Sequence, residues 1–83
     1  MILITEQGER LKALWEAAIP GICPELRQFN TWLLMHGRDE AFIEWGIREL
    51  AYKLQRRPMD DDYKIKFVSS VLNAERRNRV MLT

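Results

Sequence analysis

Residues 39–57 read DEAFIEWGIRELAYKLQRR, and this stretch decides the fold of the chain. It begins with Asp39, whose side chain can accept the free N–H groups of a first helical turn. Acidic residues follow at its start and basic residues gather at its end, as the helix dipole favours. Its apolar residues recur at three- and four-residue steps and form one broad face: Phe42, Ile43, Ile47, Leu50, Ala51 and Leu54. Pro58 should end the helix, because the residue before a proline is disfavoured in the α region. We therefore predict a central amphipathic helix that the rest of the chain covers.

The same patterns predict three further helices, over residues 5–18, 24–36 and 62–78. Thr5 is the expected N-cap of the first helix. Pro24 suits the first position of the second, because its missing N–H would be unpaired there. Gly37 can take the left-handed conformation that ends a helix. One of the aspartates at 60–62 should cap the last helix.

Four helices with short connections predict an all-α fold, a compact four-helix bundle-like single domain over residues 1–83. Short apolar arms lie at both ends, MILI at 1–4 and VMLT at 80–83. The arms could pack on the bundle, pair with each other or form a partner surface, and of these we favour packing on the bundle.

The composition of the chain excludes several classes of protein. The chain has 83 residues, 47% of them hydrophobic and 30% charged, with a formal net charge of +1. These values exclude a disordered polyelectrolyte and a strongly basic histone-like protein. A single cysteine excludes an intrachain disulfide and fits a reducing compartment. The apolar start is too short for a signal peptide or a membrane span, so we expect a cytoplasmic protein without membrane contact.

Candidate catalytic and metal-binding residues are few. Cys23 and His36 are the only soft metal ligands, and a structural zinc site takes four. We interpret His36 as a capping or surface residue at a helix end. The run at 60–62 lacks the spacing and glycine of a calcium loop. Glu40 and Glu44 lie one turn apart on an exposed face, where such carboxylates are solvated. We expect no enzyme activity, no metal and no cofactor.

Basic residues cluster near the ends of the last two predicted helices. Dipole complementation explains one or two bases at each helix end, but the sequence has three. We therefore predict a phosphate-contacting surface, and so DNA as a partner. The predicted nucleic-acid-binding residues are Lys53, Arg56, Arg57, Lys64, Lys66, Arg76, Arg77 and Arg79.

A second predicted surface faces a protein partner. Trp45 lies on the side of the central helix away from Ile47, so it is partly exposed unless that helix is covered on two sides. Exposed tryptophans often mark contact surfaces. Asp60, Asp61 and Asp62 form either a cap with favourable dipole charge or an acidic knob for the same partner. The adjacent Gly46 either admits a close helix or weakens its own.

The residues from Phe29 onward resemble the helical domain of DnaD-like primosome proteins, which act in bacterial and phage replication initiation and helicase loading. The resemblance lies in Trp32, Gly37, Asp39, Ala41, Ile47 and Ala51, and in residues 67–73, FVSSVLN. That family carries an aromatic–aliphatic pair, an aliphatic pair two residues later and a nearby asparagine–tryptophan. Here Asn73 is close to the asparagine, but the tryptophan and the preceding winged-helix domain are missing. The resemblance implies contact with DNA and with a helicase through the last helix and its basic end.

The leading hypothesis is thus a non-enzymatic binding protein, a phage or mobile-element accessory factor that contacts a DNA-replication nucleoprotein complex. Its partner would be a helicase or another nucleoprotein machine, with DNA contacted at the basic helix ends. The alternative is a small protein-directed inhibitor, an anti-CRISPR-like or host transcription antagonist, that uses its acidic and aromatic surfaces. A third hypothesis is a structural homo-oligomer built through the two apolar arms.

Overall fold

The fold is all-α. A computed structural model describes residues 3–80 in full and the backbone of residues 81 and 82. Its four helices are α1 (Ile4–Ala18), α2 (Leu26–Met35), α3 (Glu40–Leu54) and α4 (Asp61–Leu82). No strand occurs within this range, which confirms the predicted bundle-like class. Met1, Ile2 and Thr83 lie outside the described residues, and with them part of both predicted arms.

One apolar cluster joins all four helices. Three aromatic rings form its centre, with Phe29 edge-on to both tryptophans and Trp15 stacked on Trp32 at 6.2 Å between ring centroids. This arrangement confirms core packing for two of the three tryptophans. The remaining fully or nearly buried apolar residues are Leu11, Ile19, Leu33, Phe42, Ile43, Ile47, Leu50, Val68 and Leu72.

The helices α3 and α4 approach closely at Gly46. A Cβ atom built on Gly46 would lie 2.7 Å from Leu72 Cδ2 and 3.6 Å from Val68 Cγ1. Real Cβ atoms essentially never come that close to another heavy atom. The structure therefore supports the first of the two interpretations of Gly46, because hydrogen at this position is what lets Leu72 reach the core.

The turn between α2 and α3 ends one helix and starts the next. Gly37 has φ +68°, as predicted, and Arg38 N–H donates to Leu33 O at 2.6 Å. This pairing is the Schellman arrangement, which satisfies a carbonyl of the last helical turn. Asp39 then caps α3 by accepting from Phe42 N–H at 3.1 Å, as predicted. The corner is thereby fixed at both of its ends.

Two predicted helix starts were wrong. α1 begins at Ile4, one residue before the expected cap Thr5, and its N-cap Leu3 makes no side-chain cap bond. α2 begins at Leu26, so Pro24 lies outside the helix, where it is buried.

Two predicted helix ends were also wrong. α3 ends at Leu54, and the chain continues to Arg57 in a tighter turn with Gln55 N–H bonded to Tyr52 O and Arg56 N–H to Lys53 O. α4 runs four residues past the predicted end at Asn78, because residues 79–82 contain no glycine or proline to stop it. The described part of the predicted C-terminal arm is therefore helix.

None of the described helices is sufficiently long and apolar to cross a bilayer. The longest, α4, has charged residues over 61–66 and again over 75–79.

Candidate nucleic-acid interface

The predicted basic residues lie at the two ends of one helix pair. α3 and α4 run antiparallel, since Phe42 near the start of α3 contacts Arg79 near the end of α4. The end of α3 and the first turns of α4 therefore form one basic end of the pair, with Lys53, Arg56, Arg57 and Lys66, all exposed. The second half of α4 forms the other, with Arg76, Arg77 and Arg79, also exposed.

Residues 73–80 of α4 have no buried face. Leu72 is the last buried residue before them, and from there through Val80 every residue is exposed except the half-buried Glu75. At about 1.5 Å per residue, the 22 residues of α4 measure roughly 33 Å, against roughly 22 Å for the 15 residues of α3. We call residues 73–80 the distal segment.

Helix-dipole complementation does not account for the distal arginines. The favourable effect of a base falls off within the last turn of a helix. Since α4 continues to Leu82, only Arg79 lies in that turn. Arg76 and Arg77 stand further back, so their presence calls for another explanation.

Two of the distal arginines are held against the α2–α3 corner. Arg76 donates from one terminal nitrogen to Met35 O at 2.7 Å. The guanidinium of Arg79 lies over the Phe42 ring, 4.5 Å from its centroid, and its Nε is 3.5 Å from a Glu75 carboxylate oxygen. These contacts position the two guanidinium groups and leave other N–H donors of each group for a ligand.

The third distal arginine, Arg77, lines a groove on α4. Arg76 shares this groove, and its other lining residues are Ser70, Asn73 and Val80. All of these positions belong to α4, so the groove runs along that helix.

At the other basic end the side chains are more loosely placed. Arg56 stacks on the Tyr52 ring at 4.9 Å and donates to its hydroxyl at 2.7 Å. Within the described part of the chain, Lys53 and Arg57 make no side-chain hydrogen bond or ion pair. A ligand would have to order them.

Lys64 was predicted to bind nucleic acid, but the structure buries it. Its side chain is 6% exposed, and its ammonium donates to Pro20 O and to Asp61 Oδ1 at 2.5 and 3.1 Å. This lysine ties the α1–α2 loop to the first turn of α4. The charge is thus used inside the fold and is not available to a phosphate.

Two of the three aspartates also have structural roles. Asp60 caps α4 by accepting from Tyr63 N–H at 2.7 Å, and Asp61 accepts from Ile22 N–H as well as from Lys64. Asp60 and Asp62 are exposed, and of these two only Asp62 has no cap bond. The structure supports the cap interpretation of this run over the acidic-knob interpretation.

Trp45 is half-buried and stacks on Phe42, with ring centroids 5.8 Å apart and planes 8° from parallel. This partial exposure agrees with the position of Trp45 on the side of α3 away from Ile47. Whether the exposed part meets a protein partner stays a prediction.

The carboxylates that could have served acid–base chemistry are each paired with an arginine. Arg10 holds Glu40 by two hydrogen bonds of 2.6 and 2.9 Å, and Arg48 holds Glu44 at 2.8 Å. The bond from Arg10 lowers the pKa of Glu40 below its ordinary value. Burial raises the pKa of the Cys23 thiol. Among the described residues, no three His, Cys, Asp or Glu side chains are grouped as metal ligands.

His36 is the residue whose environment the sequence did not reveal. It occupies the C-cap position of α2, in line with the capping interpretation, but its ring is buried and lies edge-on to Phe42 at 5.3 Å. Burial, with a smaller contribution from the Arg76 charge, lowers its pKa. No local pattern predicts this, because the groups around the ring come from α3 and α4.

Comparisons with protein-family models, curated protein sequences and solved structures gave no match.

Proposed function

We propose that this chain is a non-enzymatic binding protein that contacts the DNA backbone of a replication nucleoprotein complex through the basic residues of α3 and α4. The observation that supports the proposal most is the distal segment, a stretch of helix that contains three arginines and no buried residue. Such a segment contributes little to the core, so its composition is best explained by a ligand.

Arginine is the side chain best suited to this task. Its planar guanidinium presents several N–H donors to phosphate oxygens and stays charged at any physiological pH. From Lys66 to Arg77 the α4 axis rises by about 16 Å at 1.5 Å per residue, a span of several phosphates along a strand at about 3.4 Å each. A strand following the outer side of α4 would meet basic residues at both ends of the helix.

The replication setting rests on the resemblance of residues 67–73 and of Trp32 to DnaD-like domains. In the structure Trp32 Nε1 donates to Ser69 Oγ at 2.9 Å, so the two parts of that pattern are in direct contact. A phage or mobile-element origin belongs to the same proposal.

The experiment is a fluorescence-anisotropy titration with single- and double-stranded DNA at several salt concentrations. The test variant is R76Q/R77Q/R79Q. The charge-matched control is K12Q/R27Q/R48Q, which removes one half-buried and two exposed cations, of α1, α2 and the middle of α3, that already face acids. Thermal unfolding checks that both variants remain folded.

We expect the wild type to bind with an affinity that falls as salt rises. In the test variant the slope of log K against log salt should shrink by about 0.9 per lost duplex phosphate contact, while the control keeps the wild-type slope. An equal loss of affinity in both variants would mean that only the net charge matters. Unchanged binding by the test variant would show that the distal segment is not part of the interface.

A protein partner is the second candidate, and exposed apolar side chains favour it. Leu34 and Met35 at the end of α2 are 68% and 50% exposed, and Val80 in the distal segment is 67% exposed. Arg76 joins these regions through its bond to Met35 O. Such a surface suits a protein-directed inhibitor, or the helicase contact of the leading proposal.

Two observations separate the candidates. Absence of DNA binding by the wild type at low salt, with loss of a pulled-down partner in a L34S/M35S variant, would favour the inhibitor. Sedimentation over a wide concentration range tests the homo-oligomer, because a monomer mass at all concentrations excludes it.

A further inference from the structure

A small cleft lies where α2 ends, α3 begins and α4 passes over both. It has a volume of about 230 Å³. Its lining residues are His36, Gly37, Asp39, Phe42, Arg76 and Arg79. We call it the corner cleft. Nothing in the architecture requires a cleft here, since Phe42 and His36 already close the core.

The unusual member of the corner cleft is His36. Its side chain is 7% exposed, and neither ring nitrogen has a hydrogen-bond partner within the described residues. An imidazole always carries at least one N–H donor, and buried donors are almost always paired. His36 is an exception, and because both nitrogens are enclosed by the protein, the ring can sense a charge held in the cleft but cannot donate to a ligand there.

The charges around His36 favour an anion as the ligand of the corner cleft. Arg76 and Arg79 bring two guanidinium groups from α4, and Asp39 brings one carboxylate from the start of α3. The Asp39 charge is already engaged by the Phe42 amide at the positive end of the α3 dipole. Glu75 reaches only Arg79, at 3.5 Å. The lining residues themselves are thus positive by one charge while His36 is neutral, and Glu75, which lies outside the lining, offsets part of the Arg79 charge.

The two guanidinium groups are positioned in advance. Arg76 is anchored by Met35 O, and Arg79 is anchored by the face of the Phe42 ring. Neither anchor uses up the charge of its arginine, because one is a carbonyl and the other an aromatic ring. Anchored cations lose less freedom when a ligand binds, which favours binding.

We propose that the corner cleft binds a phosphoryl group, with Arg76 and Arg79 on its oxygens and the buried His36 ring beside it. Two guanidinium groups match both the negative charge and the paired oxygens of such a group. The proposal deepens the proposed function, because DNA supplies such a group either along its backbone or at a 5′ end. Both sources present a pair of non-bridging oxygens to the two arginines, and a 5′ end adds a third oxygen and further negative charge.

Phosphate binding should be visible in the titration of His36. Burial first, and the Arg76 charge second, disfavour the charged ring in the free protein. A bound phosphate anion would offset the Arg76 charge and stabilise the imidazolium, so the pKa of His36 would rise on binding. Asp39 faces the same cleft and acts identically in both states.

The chain has one histidine, so its imidazole carbon-bound protons can be followed in solution by NMR without assignment ambiguity. The pH titration is run in chloride and in inorganic phosphate at equal ionic strength. We expect a higher midpoint in phosphate, with a shift that saturates as phosphate increases. R76Q/R79Q should lose the shift, and the control R27Q/R48Q should retain it. Equal midpoints in phosphate and chloride for the wild type would overturn the proposal.

Oligonucleotides then identify the source of the phosphoryl group. The same His36 signals are recorded with a single-stranded oligonucleotide carrying a 5′-phosphate and with the same strand lacking it. A response to the first alone assigns a terminal phosphate, and a response to both assigns the backbone.

The two proposals can fail separately. DNA binding seen by anisotropy with unchanged His36 signals would overturn the corner cleft and leave the DNA interface standing. A His36 response to inorganic phosphate in a chain that does not bind DNA would leave the cleft standing and overturn the DNA interface.

Discussion

The two halves of α4 belong to one continuous helix and have different environments. In residues 61–72 a side chain of every turn is buried, with Lys64, Val68 and Leu72 facing the other helices. In the distal segment Glu75 is half-buried and the rest is exposed. The first half holds the bundle together. The second half has three arginines and surface contacts only, which suits it for a ligand.

The contrast also concerns local stability. The distal segment is attached by the Arg76–Met35 bond and by Arg79 over Phe42, and such surface contacts contribute little to folding. Its backbone amides should therefore exchange with solvent by local fraying, whereas those near Val68 should exchange only on global unfolding. A bound phosphoryl group would bridge the distal segment to the α2–α3 corner and reduce that difference.

The largest expected effect is a loss of stability when a buried side chain in the first half of α4 is shortened. Leu72→Ala removes a side chain with no exposed surface, so unfolding in urea should become easier by about 2–5 kcal/mol. Val80→Ala truncates an apolar residue of the same helix that is 67% exposed, and should change stability by less than about 0.5 kcal/mol. Comparable losses of stability for both variants would show that the distal segment is packed as tightly as the first half of α4.

A smaller effect is expected from Gly46→Ala, on the α3 surface that Leu72 covers. The new methyl group would collide with Leu72, and overpacking of this kind typically costs about 1–3 kcal/mol. This cost is offset in part by the better helix propensity of alanine, which is worth about 1 kcal/mol. We expect net destabilisation in the wild-type background.

The double variant G46A/L72A sharpens this test. With Leu72 shortened the collision disappears, so Gly46→Ala should become neutral or stabilising in that background. Urea unfolding of the four proteins gives the coupling energy directly. Additive effects would mean that the two helices do not meet at this point.

A third prediction concerns how α4 starts. Asp60 accepts a hydrogen bond from Tyr63 N–H, so Asp60→Ala should lower the free energy of unfolding by about 1 kcal/mol. Asp62→Ala removes an exposed acid of the same turn without a cap bond and should cost only a few tenths, about 0.3 kcal/mol, of dipole interaction. Thermal unfolding of both variants is the measurement. Equal effects would assign the contribution to charge alone.

The sequence predicted the fold from features that act locally. The apolar spacing of α3, the Asp39 cap and the left-handed Gly37 each depend on a few neighbouring residues, and each is confirmed. Helix ends were less predictable, because nothing in the residues after Asn78 opposes either continuing or stopping the helix. Whether the helix continues past Asn78 is decided by backbone hydrogen bonding in the folded chain, which the sequence pattern does not show.

The candidate site was only partly predictable, because charge at a position does not determine its environment. Lys64 and Lys66 are two residues apart with the same side chain, yet one is buried against the α1–α2 loop and the other is exposed. On a helix, two residues correspond to more than half a turn, so they face nearly opposite sides. His36 shows the same limit, since its neighbours Phe42 and Arg76 come from other helices.

The smallest effect we expect is a pH dependence of stability that arises from His36, which lies beside Arg76 of the distal segment. Burial first, and the Arg76 charge second, lower the pKa of His36 in the folded state below its ordinary value of 6.5. The unfolded chain therefore binds more protons as pH falls below that value, and the free energy of unfolding should decrease through this range. Above pH 6.5 the ring is neutral in both states, so this contribution is fully present and constant. Urea unfolding from about pH 5.5 to 7.5, in buffer without phosphate, measures it.

Two variants assign that slope to the ring and to its neighbour. His36→Phe keeps an aromatic ring against Phe42 and should flatten the slope, and Arg76→Gln should reduce it by removing one of the two causes. Glu40 does not interfere, because its pKa is lowered from 4.5 and its contribution is lost only at more acidic pH. A slope that persists in His36→Phe would mean that another group titrates there. A slope unchanged by Arg76→Gln would mean that the distal segment does not act on the corner, which would separate the two halves of α4 completely.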